Sequence, residues 1–139
     1  LVAEIEGATL VHASPRAPEE WDYLNSPGDG FEAFGCFTTP LCFVGHSHRP
    51  AVWIESPDGL RFEPNPPQQE LLPAHRYIVN VGSVGQPRDR DPRAACATWD
   101  TDARTIVIHR IPYDAGIAQA KIRSAGLPAI LADRLAHGV

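Results

Sequence analysis

Methionine is absent from this sequence, cysteine occurs only three times, and no apolar run approaches the roughly 18 residues of a membrane-crossing helix. The last absence excludes a helical membrane span. The cysteines, Cys36, Cys42 and Cys96, follow no regular spacing, which fits a reducing compartment better than a disulfide framework. Positive charge is also scarce: 12 Lys and Arg face 17 Asp and Glu, for a net charge of −5. That balance argues against a general binder of nucleic acid or of membrane surfaces. No internal repeat and no secretory signal is visible, so the expectation is a cytoplasmic protein. The hydrophobic fraction of 43% is enough for a core, and 139 residues suit one domain.

Periodicity predicts strands at Ala8–Val11, Leu41–Val44, Ala51–Glu55, Leu60–Glu63, Tyr77–Val81, Ala94–Trp99 and Thr105–Ile111. Ser56-Pro57-Asp58-Gly59 reads as a hairpin turn, and Asp100 to Ala103 joins the last two strands. Helices are expected at Ala17–Leu24, about Gly30–Gly35, Asp114–Ala125 and Pro128–His137, with Asp114 as an N-cap. Glu63 to Gln69, rich in proline, reads as a connector. The pattern is α/β (α+β): a two-layer sheet core flanked by helices.

The most informative stretch is Phe43-Val44-Gly45-His46-Ser47-His48-Arg49-Pro50, where an apolar strand ends in a glycine and two histidines one residue apart. Neutral imidazole is the commonest metal ligand. In extended backbone, side chains at i and i+2 share a face, so His46 and His48 are expected to point into one cleft. The bland alternative is a pair of surface histidines in a turn. Thr9 to Arg16 repeats the layout: an apolar strand, then His12, then small residues and Pro15. A third strand, Tyr77 to Val81, runs into Gly82-Ser83-Val84-Gly85-Gln86-Pro87-Arg88-Asp89, a loop whose amides and Arg88 suit an anion. In α/β proteins, sites collect beyond the carboxyl ends of strands.

Together these segments resemble the calcineurin-like metallophosphoesterases, specifically their small bacterial members. The family's strand-end histidine looks like Val11-His12, and its Gly-His-x-His pair looks like Gly45-His46-Ser47-His48. The run from Asn80 to Asp89, continuing through Asp91-Pro92-Arg93-Ala94, is similar to a loop of one branch of that family. The family's earlier motifs (Asp-x-His, Gly-Asp-x-x-Asp and Gly-Asn-His-Asp/Glu) do not occur here. The one Gly-Asp pair, Gly28-Asp29, follows His12 and sits in a Ser-Pro-Gly-Asp-Gly turn. Residues 1–139 are therefore expected to be the C-terminal portion of a single metallophosphoesterase domain.

The resemblance implies a metallophosphoesterase-like sandwich, incomplete in this chain. It also implies hydrolysis of a phosphomono- or diester by water activated between two divalent metal ions (Mn, Fe, Ni or Zn). It assigns His12 and His46 to one metal and His48 to the other, the remaining donors lying in the absent motifs. The substrate would be a small molecule, nucleotide or phosphoprotein rather than long nucleic acid. Arg16, Ser83, Gln86 and Arg88 are candidates for substrate contact, although Arg88 alternates with Asp89, Arg90 and Asp91 and also reads as a solvated ion-pair turn. The sheet face meant for the missing half must be covered by that segment or by an oligomer contact. Two rival readings are a non-catalytic binding module of the same fold and a structural zinc held through Cys36 and Cys42. His75, His109 and His137 lack a comparable context. Trp21, Trp53 and Trp99 read as core or rim packing, and Asn80 as a partner of the Gly82 turn.

Overall fold

Strands β1 (Val2–Ile5), β2 (Ala8–Val11), β3 (Leu41–Val44), β4 (Ala51–Ser56), β5 (Gly59–Pro64) and β7 (Arg76–Asn80) form one sheet, ordered β1-β2-β3-β7-β4-β5. This computed structural model describes residues 1–139. A second sheet holds β6 (Gln68–Glu70), β9 (Thr105–Ile111) and β8 (Ala94–Asp100), in that order. Helices α1 (Pro27–Ala33), α2 (Ala115–Ser124) and α3 (Ala129–Asp133) complete the chain.

The central strands are buried on both faces, which is why they read as apolar runs rather than alternating ones. Cys42, Val44, Trp53 and Ile78 point to one side, where Leu24, Ala33 and Phe34 cover them. Leu41, Val52, Ile54, Tyr77 and Val79 point to the other, against Ile106 and Ile108 of β9. The two sheets therefore make the predicted sandwich, with the α1 segment on its outer face. Strand β9 alternates as expected, and His109 lies on its outer side, bonded to Thr98 Oγ1 at 2.8 Å.

The expected helix at Ala17–Leu24 is a loop of turns. Pro18 disfavours helical backbone at the residue before it, and Ala17 has φ +48°. The next helix begins three residues earlier than predicted. Ser26 and Asp29 form a reciprocal capping box, Pro27 occupies the first turn, and the Gly28-Asp29 turn is thus the helix start. Gly30 lies inside this helix because the buried Trp53 ring crosses it; a Cβ there would meet Trp53 at 2.1 Å. Pro128 caps α3 instead of being its first residue. Two edge strands, β1 and β6, add to the predicted set. The proline-rich connector contributes directly to the second sheet, since Pro67 O accepts from Ile108 N at 3.0 Å.

Strands β2, β3 and β7 are mutually parallel, so their carboxyl ends share one edge. No residue of the smaller sheet lines the surface beside that edge. A trough of about 530 Å3, lined by Leu1, Val2, Leu10, Phe43, Val81 and His12 among others, stays open there. No helix is long and apolar enough to cross a membrane.

Candidate metal centre

Three strand ends bring the site together. Gly45 N donates to His12 O at 2.9 Å and Val81 N donates to Val44 O at 3.1 Å, extending the parallel ladder past each strand. This places the loops after β2, β3 and β7 side by side. Asn80, at the end of β7 and fully buried, fastens two of them. Its Nδ2 donates to Gly45 O at 2.8 Å and to Ser47 Oγ at 2.9 Å, while its Oδ1 accepts from Gly82 N at 3.0 Å. The sequence reading assigned Asn80 only the Gly82 turn; its larger role is to hold the histidine loop.

His46 and His48 both have φ +61°. The loop is therefore not extended, and the shared-face argument for the pair does not hold. Left-handed backbone at a non-glycine residue costs on the order of 1 kcal/mol, and such strain concentrates at functional sites. Ser47 turns inward to Asn80, and the two imidazoles take separate directions. His46 Nδ1 lies 3.2 Å from His12 Nε2. His48 Nδ1 lies 2.8 Å from Gln86 O. A carbonyl only accepts, so Nδ1 carries the proton and the Nε2 lone pair of His48 is left ligand-ready.

The facing nitrogens of His12 and His46 suit a shared cation. Two metal–nitrogen bonds of about 2.0–2.1 Å, opened by about 90–110°, set their nitrogens about 2.8–3.4 Å apart. Without a cation, one nitrogen has to donate a proton to the other. His48 does not join the pair in a common cluster, and no group of three or more His, Cys, Asp or Glu side chains able to hold a metal is assembled. The chain thus offers two converging donors and a third ring fixed nearby, which fits part of a metal shell. Burial, followed by the positive charges of His12 and Arg88, holds His46 below the usual imidazole range. Burial also lowers His48, against the opposing pull of its Gln86 bond. Both shifts favour the neutral, ligating form.

Aromatic rings back this pair. Tyr23 stacks on His46 with centroids 4.2 Å apart, and Trp21 lies 5.1 Å from His12 and 5.7 Å from His46. Trp21 thus packs at the rim, as expected, and the rim it packs is that of the imidazole pair. Nothing in the sequence signalled this, because the Ser14–Asp22 loop that returns it depends on the Ser14 N to Asp22 O bond at 3.1 Å. Trp53 and Trp99 also pack as expected, against Phe62 and Phe43.

The substrate candidates separate. Arg16 turns away into exposed ion pairs with Asp22 and Glu32. Ser83 Oγ accepts from Gln86 N at 3.0 Å, so both residues brace their own loop. Arg88 forks onto Gln86 Oε1 at 3.0 and 2.6 Å. The ion-pair turn forms without it: Asp89 pairs with Arg110, and Asp91 pairs with Arg93. Arg110 also donates to Asn65 Oδ1 at 2.6 Å, tying the loop to β9. The geometry does not support structural zinc: Cys42 is buried in the core, Cys36 is exposed, and neither belongs to a group of three or more potential ligands.

Two outcomes follow for the loop that carries Arg88. The side-chain bond from Arg93 holds Asp91 at about 2, below the ordinary 3.8. The folded state thus prefers the carboxylate, so the contribution is present above pH 3.8 and is lost as the pH falls towards 2. Carbon-detected NMR titration should show Asp91 moving up towards 3.8 in Arg93→Ala. Gly82 has φ +80°, and a Cβ there would lie 2.7 Å from both Ala95 and Pro50. Gly82→Ala should destabilise by roughly 2–3 kcal/mol in urea unfolding, combining overpacking with backbone strain.

No family model matches the chain. It is 39% identical over 138 residues to an uncharacterized protein of Methanocaldococcus jannaschii, covering 96% of this chain and 54% of that one. It is also similar to a crystal structure of a metallophosphoesterase from Sphaerobacter thermophilus, with 39% identity and a TM-score of 0.86, over 99% of this chain and 57% of that chain. A hypothetical protein from Pyrococcus horikoshii shares the fold, with 20% identity and a TM-score of 0.66, over all of this chain and 50% of that one. The fold is thus metallophosphoesterase-like, and the chain spans about half the length of the relatives it matches.

Proposed function

We propose that this chain is the C-terminal portion of a metallophosphoesterase domain, residues 1–139 supplying His12, His46 and His48 to a two-metal centre. The observation that carries the reading is the 3.2 Å approach of His12 Nε2 to His46 Nδ1 at the shared end of three parallel strands. The likeness to a solved metallophosphoesterase supports it. Two divalent ions, of Mn, Fe, Ni or Zn, would supply Lewis acidity and a water of lowered pKa for hydrolysis of a phosphomono- or diester.

The chain's own contribution is positional. His12 Nε2 and His46 Nδ1 would hold one ion, and the Gln86 carbonyl, by fixing the proton on Nδ1, leaves Nε2 of His48 free to hold the other. Asn80 holds both halves of the Gly45–His48 loop at the strand end. The remaining donors come from sequence outside these residues, as does the cover for the open trough beside His12. A cytoplasmic location fits three unpaired cysteines.

The test is hydrolysis by the protein at its full natural length. Mn or Ni should stimulate turnover of a nitrophenyl phosphoester, and chelation should abolish it. Metal bound without turnover of any mono- or diester would replace the enzyme with a binding module of the same fold.

A further inference from the structure

Beside the imidazoles lies a cleft of about 220 Å3 lined by Tyr23, Asn25, Ser47, Arg49 and Arg88. It adjoins the proposed centre on two sides: Ser47 separates His46 from His48 in the chain, and Tyr23 stacks on His46. Its two guanidinium groups differ from most others in this acidic chain. Arg16, Arg61, Arg76, Arg93, Arg110 and Arg123 all pair with carboxylates, whereas Arg49 and Arg88 have none.

Both are nevertheless held in place. Arg49 Nε donates to Arg88 O at 3.0 Å, and Arg88 N donates to His48 O at 3.1 Å. The Arg88 fork rests on a neutral amide oxygen, so its charge is oriented without being neutralised. Two like charges fixed at one cleft repel unless an anion sits between them. No carboxylate lines this cleft, and those of the adjoining pocket, which shares Tyr23, are already occupied: Asp22 and Glu32 by Arg16, and Asp29 by the backbone N–H groups of Asn25 and Ser26. Planar guanidinium groups match the geometry of phosphoryl oxygens. A hydroxyl and an amide, from Tyr23 and Asn25, complete the lining.

We propose that this cleft binds a second phosphoryl group, next to the one hydrolysed, so that the substrate is a diphosphate or polyphosphate ester rather than an isolated monoester. This rests on the phosphoesterase reading above. The cleft's place beside the histidines, rather than between them, separates this role from clamping the reacting group.

Calorimetric binding of imidodiphosphate and of phosphate to the Mn-loaded, full-length protein tests it. Chelation of the metals contributes equally before and after mutation, so the change on substitution is what counts. Arg49→Ala with Arg88→Gln should weaken imidodiphosphate about 30-fold more than phosphate, about 2 kcal/mol, because bonds from charged donors are lost. The Arg49→Lys, Arg88→Lys pair should recover part of that preference through charge alone, and it guards against a variant that fails to fold. Equal weakening of both ligands would place the arginines on a single phosphoryl group and overturn the proposal, as would an unchanged preference. A protein that hydrolyses nothing yet shows the arginine-dependent preference would end the hydrolytic reading and leave this site standing. Hydrolysis without the preference would do the reverse.

Discussion

His46→Ala, and separately His12→Ala, should lower phosphoesterase turnover of the full-length protein by about 100-fold or more, with a matching loss of bound metal. Removing a group that merely orients a ligand costs 10–100-fold in affinity or activity, so loss of the ligand itself belongs at or beyond the upper end. The fold should survive, because His12 is exposed and His46 is only half-buried. His46→Ala also removes one partner of the Tyr23 stack, which contributes roughly 0.5–1.5 kcal/mol. Melting temperature should therefore fall by only a few degrees while metal content collapses. Metal analysis beside a thermal melt separates the two effects. A variant that keeps its metal would show that the facing nitrogens are an ordinary hydrogen-bonded pair.

Asn80→Ala should do the opposite, acting on stability first. The substitution leaves the buried Gly82 N–H and the buried Ser47 hydroxyl without the partners that the amide gives them, while the Gly45 carbonyl keeps Ser47 N. Each unsatisfied buried group costs roughly 1–3 kcal/mol, so a loss of about 3–4 kcal/mol is expected in urea unfolding. Metal affinity should fall as well, since the amide sets the position of the loop between His46 and His48. Asn80→Asp tests the division of labour. It keeps the acceptor for Gly82 but loses the donor to Gly45 and Ser47, so metal affinity should suffer even where the fold is retained.

Most of the fold was legible because the central strands must be apolar on both faces. Leu41 to Val44 and Tyr77 to Val79 carry that signal without ambiguity; Gly45, His46 and His48 follow the first, and Asn80 ends the second. Edge strands carry less. β1 is exposed throughout, so it buries nothing that periodicity could register. Its turn was the available signal: Glu6 and Gly7 have φ +50° and +82°, the pattern of a tight hairpin loop ending in glycine. The false helix at Ala17–Leu24 came from reading residue type past Pro15 and Pro18, whose backbone constraints win.

The candidate site was legible in its residues and not in its geometry. Spacing and the family resemblance singled out His12, His46 and His48 as candidates, but the assumption of extended backbone misplaced the pair: Ser47 turns inward to Asn80, and both histidines sit in left-handed turns. Arg88 could not be resolved from its neighbours in a run of alternating charges. Its release depends on Arg110, a residue 22 positions away whose pairing with Asp89 is tertiary. Trp21 and Tyr23 were invisible as site residues for the same reason: a backbone closure, not a motif, brings them back over His12 and His46.

The most direct measurement is the anomalous scattering of crystals of the full-length protein grown with Zn or Mn. The account predicts a peak within bonding distance, about 2.0–2.2 Å, of both His12 Nε2 and His46 Nδ1, with a second peak at His48 Nε2. Metal found elsewhere, or His12 and His46 still bonded to each other with metal in excess, would contradict it.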